Sequence, residues 1–482
     1  ISPCPSPPTA AMDPLRQTLN PNKRLKEEFV SNLTGSSMLE IAALSAIIPA
    51  LVILRQWSNF ARVNGKFNVE VATSKKDDDK VPSRRDFRSY AVSLVVDYLF
   101  VVLPILLILT VLADWAYIFT VLIILLLLLC ISAKRLSSYL RFKGEQHSSS
   151  PRTTISSYRV LVVITTCLSI LAVDFKVFPR RYAKTETYGT GLMDLGVGSF
   201  VMANALVSRK ARNSISVNWK ATLKSISPLL FLGFGRLITT TGVDYQVHVG
   251  EYGVHWNFFF TLAAVSLLTS IFNIHPEYCG FFGLLVLIGY QACLLCGLNK
   301  YLISHERTAD IISQNKEGLF SIFGYWGMYL VGVHLGYKIL FSNHSSKKVG
   351  SIQSARARVW ILAVLFWFLT IILDKYVERV SRRMCNLAFV MLVFAQNFQV
   401  LSVLMLSDLV PGQKPLALEE AFNQNLLGSF LLANVLTGLV NLSMDTLSAS
   451  SVTAVGVLLG YSFVLSAVTG LVWSCGIKLK FW

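Results

Sequence analysis

Long apolar runs separated by short polar segments dominate the chain. The clearest run is Leu99 to Ala133, interrupted only by the charge of Asp114. A membrane crossing takes about 20 mostly apolar residues, so this run is too long for one helix. Asp114-Trp115 reads as a tight interfacial turn between two helices. The same criterion predicts spans at 38–54, 91–111, 115–133, 157–174, 191–207, 222–239, 254–272, 279–297, 318–340, 358–374, 385–406, 424–444 and 452–474. Nothing resembles the ten-residue alternation of a transmembrane barrel. The pattern predicts an all-α polytopic membrane protein of about thirteen transmembrane helices. Residues 38–474 form one membrane domain, flanked by a polar N-terminal tail, 1–37, and a short C-terminal tail, 475–482. Residues 1–11 precede Met12 and read as translation upstream of the start.

Composition supports this picture. Hydrophobic residues make up 53% of the 482 positions and charged residues 15%, against roughly 25% in soluble domains. Mean hydropathy is +0.55. A disordered chain and a water-soluble multidomain enzyme are excluded. The net charge of +17 invites a nucleic-acid reading. However, Lys and Arg concentrate in the odd-numbered loops and the C-terminal tail, as cytoplasmic loops do. The bias predicts a lumenal N-terminus and a cytosolic C-terminus. The richest loop, 55–90, contains Lys75, Lys76, Lys80, Arg84, Arg85 and Arg88 and reads as a topology-setting loop. One loop breaks the rule. Lys176, Arg180, Arg181 and Lys184 fall on the non-cytoplasmic side, where topology does not call for them and an anionic group would. Cys293 and Cys296 have redox or zinc spacing but no second pair, so the apolar cysteines read as packing residues.

A charge inside a span costs about 2.5–3.5 kcal/mol and calls for a partner or a task. Glu40 and Asp97 read as partners for Arg236 within the bundle, and Asp374 beside Lys375 as an interfacial residue. Asp174 ends an apolar run and precedes Lys184 by ten residues, with Pro179 between them. A short re-entrant loop would allow these two to pair, either as a structural bridge or as an acid–base couple. A second cluster, Glu251-Tyr-Gly-Val-His255-Trp256-Asn257, enters an apolar helix. It reads as an interfacial loop, a head-group site or, with His248, a metal site; Gly250 and Gly253 weigh against the last. Asn315-Lys316-Glu317-Gly318 opens another span. Asn434, Thr437, Asn441 and Met444 share a helical face suited to helix packing. Ser381-Arg382-Arg383 suits either phosphate binding or helix anchoring. P-loop, Gly-x-Gly-x-x-Gly and Gly-x-Ser-x-Gly patterns are absent.

The stretch from Leu171 to Phe200, containing Asp174, Pro179-Arg180-Arg181, Lys184, Gly189 and Asp194, resembles the signature of the glucosaminyl-phosphatidylinositol inositol acyltransferases. So do Glu251 to Phe259, Asn315 to Gly318, Ser381-Arg-Arg-x-x-Asn386-Leu and the asparagine segment of the twelfth span. The likeness runs from about Phe29 to the C-terminus and is loose in 55–90 and 341–357. It implies an endoplasmic reticulum enzyme of glycosylphosphatidylinositol anchor biosynthesis with thirteen spans and a lumenal N-terminus. Such an enzyme moves a fatty acyl chain, palmitoyl in the family, from acyl-CoA to the inositol 2-hydroxyl.

The family's acid–lysine pair falls on Asp174 and Lys184; Lys176 carries no family role. A thioester is already activated, so the site needs to deprotonate an alcohol and stabilise an oxyanion. Asp174 as base with Lys184 in support, or Lys184 as base held by Asp174, both fit. Arg180 and Arg181 suit phosphate. Glu251, His255, Trp256, Asn257 and Asn434 complete the expected substrate site. Neither metal nor bound cofactor is expected; acyl-CoA enters as cosubstrate, and the other expected partners are glucosaminyl-phosphatidylinositol and the bilayer, without nucleic acid. The rivals are a transporter of a lipid-linked or anionic solute, weakened by the lack of an inverted repeat, and a non-catalytic scaffold.

Overall fold

The computed structural model describes residues 28–29, 31–58, 84–140, 151–213, 219–241, 249–304, 306–341, 348–409 and 415–479. Every regular element among them is helical. Helices α1 (Met38–Trp57), α2 (Phe87–Leu109), α3 (Ala116–Leu140) and α4 (Pro151–Ala172) come first. Then follow α5 (Leu192–Leu206), α6 (Trp219–Thr241), α7 (Phe258–Phe272), α8 (Pro276–Ile303), α9 (Lys316–Gly336) and α10 (Lys348–Tyr376). The chain ends with α11 (Leu387–Leu404), α12 (Ala417–Gln424), α13 (Leu426–Ser443) and α14 (Ser451–Ser474).

Local chemistry sets several boundaries. Ser37 caps α1, its hydroxyl accepting from Glu40 N at 3.1 Å, and Asn386 caps α11 by accepting from Phe389 N at 3.1 Å. Pro104 has no N–H, and the turn before it relaxes into a π-helical segment at Tyr98–Val102. Asp114-Trp115 forms the turn read from the sequence, a 3₁₀ turn with the Asp114 side chain exposed.

Each of the thirteen expected spans coincides with a helix. Among the described residues, ten helices are long and apolar enough to cross a membrane by length and composition. The other three are α5 and α7, with 15 residues each, and α6, which contains Pro228 and carries Lys220, Lys224 and Arg236. Fifteen residues rise about 22 Å, short of the roughly 30 Å hydrocarbon core. The amphipathic α12 was not anticipated. It buries Leu418, Ala421 and Phe422 in a segment read as a loop.

α11 is the axis of the bundle. Its apolar stretch is 83% buried, compared with 17% for α3 and α13 on the outside. It packs against α1, α4, α5 and α10. Gly198 of α5 allows contact with Val393 of α11, and the Tyr158 hydroxyl donates to Asn397 Oδ1 at 2.7 Å within the core. The cysteines divide differently from the sequence reading. Cys167, Cys279 and Cys385 are buried, whereas Cys293, Cys296 and Cys475 are exposed.

The buried charges find other partners than expected. Asp97 pairs with Arg55 at 2.9 Å, and Glu40 with Arg181 at 2.9 Å, in place of Arg236. Around Asp97, Leu418 N donates to its Oδ2 at 3.2 Å and Gln56 donates to Glu419 at 3.2 Å, so this cluster fastens α12 to α1 and α2. An apolar cleft of about 160 Å³ lies between α2 and α14, lined by Tyr90, Leu94, Tyr98 and Phe463. None of its lining residues belongs to the charged cluster described next.

Candidate active site

Six polar segments meet at one end of the bundle: the start of α1, the α2–α3 turn, the α4–α5 loop, the entries to α7 and α9, and the α10–α11 loop. Ser36 N donates to Thr190 O at 2.7 Å, and Arg181 Nη2 to Asp114 Oδ1 at 2.7 Å. Lys184 reaches Glu251, His255 N donates to Asn315 Oδ1 at 2.8 Å, and Gly189 N donates to Val380 O at 2.8 Å. The C-terminal end of α13 joins them, with Asn441 Nδ2 donating to Asp174 Oδ2 at 2.8 Å.

The α4–α5 loop is shaped by its own residues. Arg180 turns back, and its Nη2 donates to the carbonyls of Val173, Phe175 and Phe178 at 2.8, 3.1 and 3.0 Å. These carbonyls lie in the loop just beyond α4, so Arg180 ties the loop to itself. Pro179 opens the 3₁₀ turn Arg180–Tyr182, and Phe175, Phe178 and Tyr182 are fully buried beneath it. Gly189, at φ +132, presses against Thr34, an approach that a side chain would block. Burial lowers the Arg180 guanidinium to about 10, with Asp174 opposing. Arg181 sits between Glu40 and Asp114, and the Tyr182 hydroxyl also donates to Glu40, at 2.7 Å.

Asp174 and Lys184 lie on this one loop but do not pair. Lys184 Nζ donates to Glu251 Oε2 at 3.0 Å, and half-buried Asp174 accepts from Asn441. The ten-residue spacing had allowed the two to pair across a short re-entrant loop. Pro179 and the Arg180–Tyr182 turn stand between them in the loop, and Asp174 and Lys184 each meet a partner from another element. Asn441 belonged to the face read as packing; its distance from Asp174 in sequence hid the contact. Asn434, from the same helix, is exposed and donates to Phe430 O at 2.8 Å.

The α7 entry is pinned rather than open. Asn257 caps α7, accepting from Phe259 N at 3.1 Å and donating to Gly233 O at 3.0 Å. Trp256 covers Gly318 and donates to Thr261 Oγ1 at 3.0 Å. His255 is exposed. His248 lies outside the described residues, among which no group of three or more His, Cys, Asp or Glu could hold a metal ion. Lys316, fully buried, donates to the carbonyls of Tyr301, Ser304 and Glu306, and Glu317 pairs with Arg307 and Arg383 at 2.7 and 2.9 Å. Arg382 grips Asp194 at 2.7 Å. The Ser381-Arg382-Arg383 motif therefore anchors loops. Glu378, which the sequence did not single out, accepts from Tyr188, Gln291, Asn299 and Asn386. Burial, then Glu378, push the Tyr188 hydroxyl up to about 12.

The GWT1 family profile matches residues 22–472, a range that includes every residue of this cluster. The chain belongs to the GWT1 family. It is 54% identical to an uncharacterised protein of Arabidopsis thaliana over 90% of this chain and 98% of that relative. A phosphatidylinositol-glycan biosynthesis class W protein of Dictyostelium discoideum is 31% identical, over 95% of this chain and 98% of its own length. A glucosaminyl-phosphatidylinositol-acyltransferase of Mus musculus is 32% identical, over 95% of this chain and 99% of its own. The family resemblance read from the motifs is thus established across nearly the whole chain.

Proposed function

We propose that this member of the GWT1 family transfers a fatty acyl group from acyl-CoA to the inositol 2-hydroxyl of glucosaminyl-phosphatidylinositol, in the endoplasmic reticulum membrane. The observation that carries this reading is the near-complete match to a relative named as a glucosaminyl-phosphatidylinositol-acyltransferase, with Asp174 and Lys184 held on one loop at the bundle end. Asp174, oriented by Asn441, takes the hydroxyl proton as the oxygen attacks the thioester carbonyl. Lys184 faces the developing oxyanion. The tetrahedral intermediate collapses, the C–S bond breaks, and the CoA thiolate takes the proton from Asp174, giving the ester and free CoA. The balance needs neither metal nor bound cofactor. Arg181, a third exposed between two carboxylates, is the candidate contact for substrate phosphate, while Arg180 shapes the loop.

The proposal includes thirteen crossings with a lumenal N-terminus. Its support is parity: the site segments are separated by pairs of helices, α1–α2, α3–α4, α5–α6, α7–α8 and α9–α10, and still meet at one end. The short α5 and α7 are then crossings extended by the polar loops that precede them. Protease protection in sealed microsomes checks this: an N-terminal tag is shielded and a C-terminal tag cleaved, and tags behaving alike would overturn the odd count. The activity test supplies purified protein with glucosaminyl-phosphatidylinositol and labelled acyl-CoA. Label appears in the inositol-linked lipid. No transfer by folded protein with several acyl chain lengths would refute the reading.

A further inference from the structure

We propose that Arg382 is a positioning residue for Lys184, holding both the backbone and the ammonium of that lysine through two carboxylates. The proposal rests on the catalytic reading of Lys184 given above.

Arg382 lies in the α10–α11 loop, 188 positions from Asp194 in sequence, and both side chains are 2% exposed. Arg382 Nε donates to Asp194 Oδ1 at 2.7 Å. Asp194 in turn accepts from Thr185 N at 3.2 Å, Thr185 Oγ1 at 2.8 Å and Gly191 N at 2.9 Å. Thr185 directly follows Lys184, so this arm fixes the backbone from which the lysine projects. The second arm runs through Glu251. Its Oε1 lies 3.9 Å from Arg382 Nη2, and its Oε2 accepts from Lys184 Nζ at 3.0 Å. The path closes into a ring: Lys184 ammonium, Glu251, Arg382, Asp194, Thr185 N and back to Lys184.

The charges in the ring cancel, with two cations against two carboxylates. Burial works against the Arg382 cation, but Glu251 and then Asp194 outweigh it, and the guanidinium is held more firmly protonated than usual. The planar guanidinium presents Nε to Asp194 and Nη2 toward Glu251 from separate, fixed positions, whereas the three donors of an ammonium share one rotating nitrogen. The loop that carries Arg382 is itself fixed. Ser381 Oγ donates to Thr187 O at 2.5 Å, and Gly189 N to Val380 O at 2.8 Å, both on the Lys184 loop. A catalytic cation on a long flexible stem needs such support, since small misplacements lower the rate strongly.

The test compares Arg382→Lys, Glu251→Gln, the double variant and Lys184→Met in the acyl-transfer assay on purified protein, with melting temperature measured for each. Arg382→Lys keeps a cation beside Asp194, and Glu251→Gln leaves the Arg382–Asp194 pair intact. Each is expected to lower kcat about tenfold with KM within twofold of wild type. The double variant should be no slower than the slower single one, because both act through the same lysine. Glu251→Gln with unchanged kcat, or kcat losses that multiply in the double variant, would overturn the proposal, even if Arg382→Lys fails to fold. Lys184→Met separates the two levels: near-normal turnover there refutes the catalytic reading itself, whereas an inactive Lys184→Met beside a fully active Glu251→Gln refutes only the positioning role.

Discussion

Replacing Asp174 with Asn separates chemistry from structure most directly. The carboxylate accepts from Asn441 Nδ2 at 2.8 Å. An asparagine at 174 can turn its carbonyl oxygen to the same donor, so the hydrogen bond survives at a cost of about 1 kcal/mol or less. Asp174 also offsets the half-buried Arg180 guanidinium. Losing that charge costs roughly another 1 kcal/mol for a partly solvated pair. The sum is small beside the ~5–15 kcal/mol that keeps a domain folded. The chemical cost is larger. An amide cannot accept the hydroxyl proton, and a lost general base costs about 10²–10⁴ in rate, or ~2.7–5.5 kcal/mol of transition-state stabilisation. The variant should therefore purify as monodisperse protein with a melting temperature within a few degrees of wild type, and lose at least a hundredfold in kcat with labelled acyl-CoA. Folded Asp174→Asn protein with turnover within threefold of wild type would refute the assignment and make His255 the next residue to test.

Arg180→Ala removes the donors to three carbonyls of the α4–α5 loop, at roughly 0.5–1.5 kcal/mol each. The expected result is a lower melting temperature with KM for both substrates unchanged in the folded fraction; a raised KM at wild-type stability would instead make Arg180 a substrate contact. Asp97→Asn removes the carboxylate charge that the buried Arg55 guanidinium meets at 2.9 Å. A loss of about 3–5 kcal/mol is expected, seen as poor recovery of folded protein from detergent, whereas full recovery would show that α12 docks without this pair. Asn434→Ala removes only an exposed hydrogen bond back to Phe430, so stability should change by less than about 0.5 kcal/mol and activity by less than twofold. A large loss of activity would return Asn434 to the substrate site.

The motifs proposed to carry the chemistry were legible because each is local. Asp174, Pro179-Arg180-Arg181 and Lys184 lie within one short segment, and charge on a face where topology does not call for it marked that segment out. Partner choice was not legible. Arg181 was free in the sequence to meet a phosphate, but a carboxylate 141 positions away in α1 reaches it first. Lys184 was ten positions from Asp174, but the carboxylate it meets belongs to the α7 entry, 67 positions on. Sequence spacing bounds what a loop can reach. It does not say which other loops arrive at the same place.

Hydropathy by itself determined the all-helical membrane architecture, because lipid offers the backbone no hydrogen-bond partners and every apolar run must satisfy its own peptide groups. It also located thirteen of the fourteen helices α1–α14, all but α12, and motif order gave the family. The tertiary structure decided which helix is central and which lies on the outside, since α11 and α13 are similarly apolar yet 83% and 17% buried. It also decided the pairing of the buried charges. A charge withdrawn from water needs some opposite charge nearby, and only the packing of six polar segments at one end of the bundle settles which one is near: Glu251 for Lys184, Asp194 for Arg382, and Asn441, a neutral donor, for Asp174.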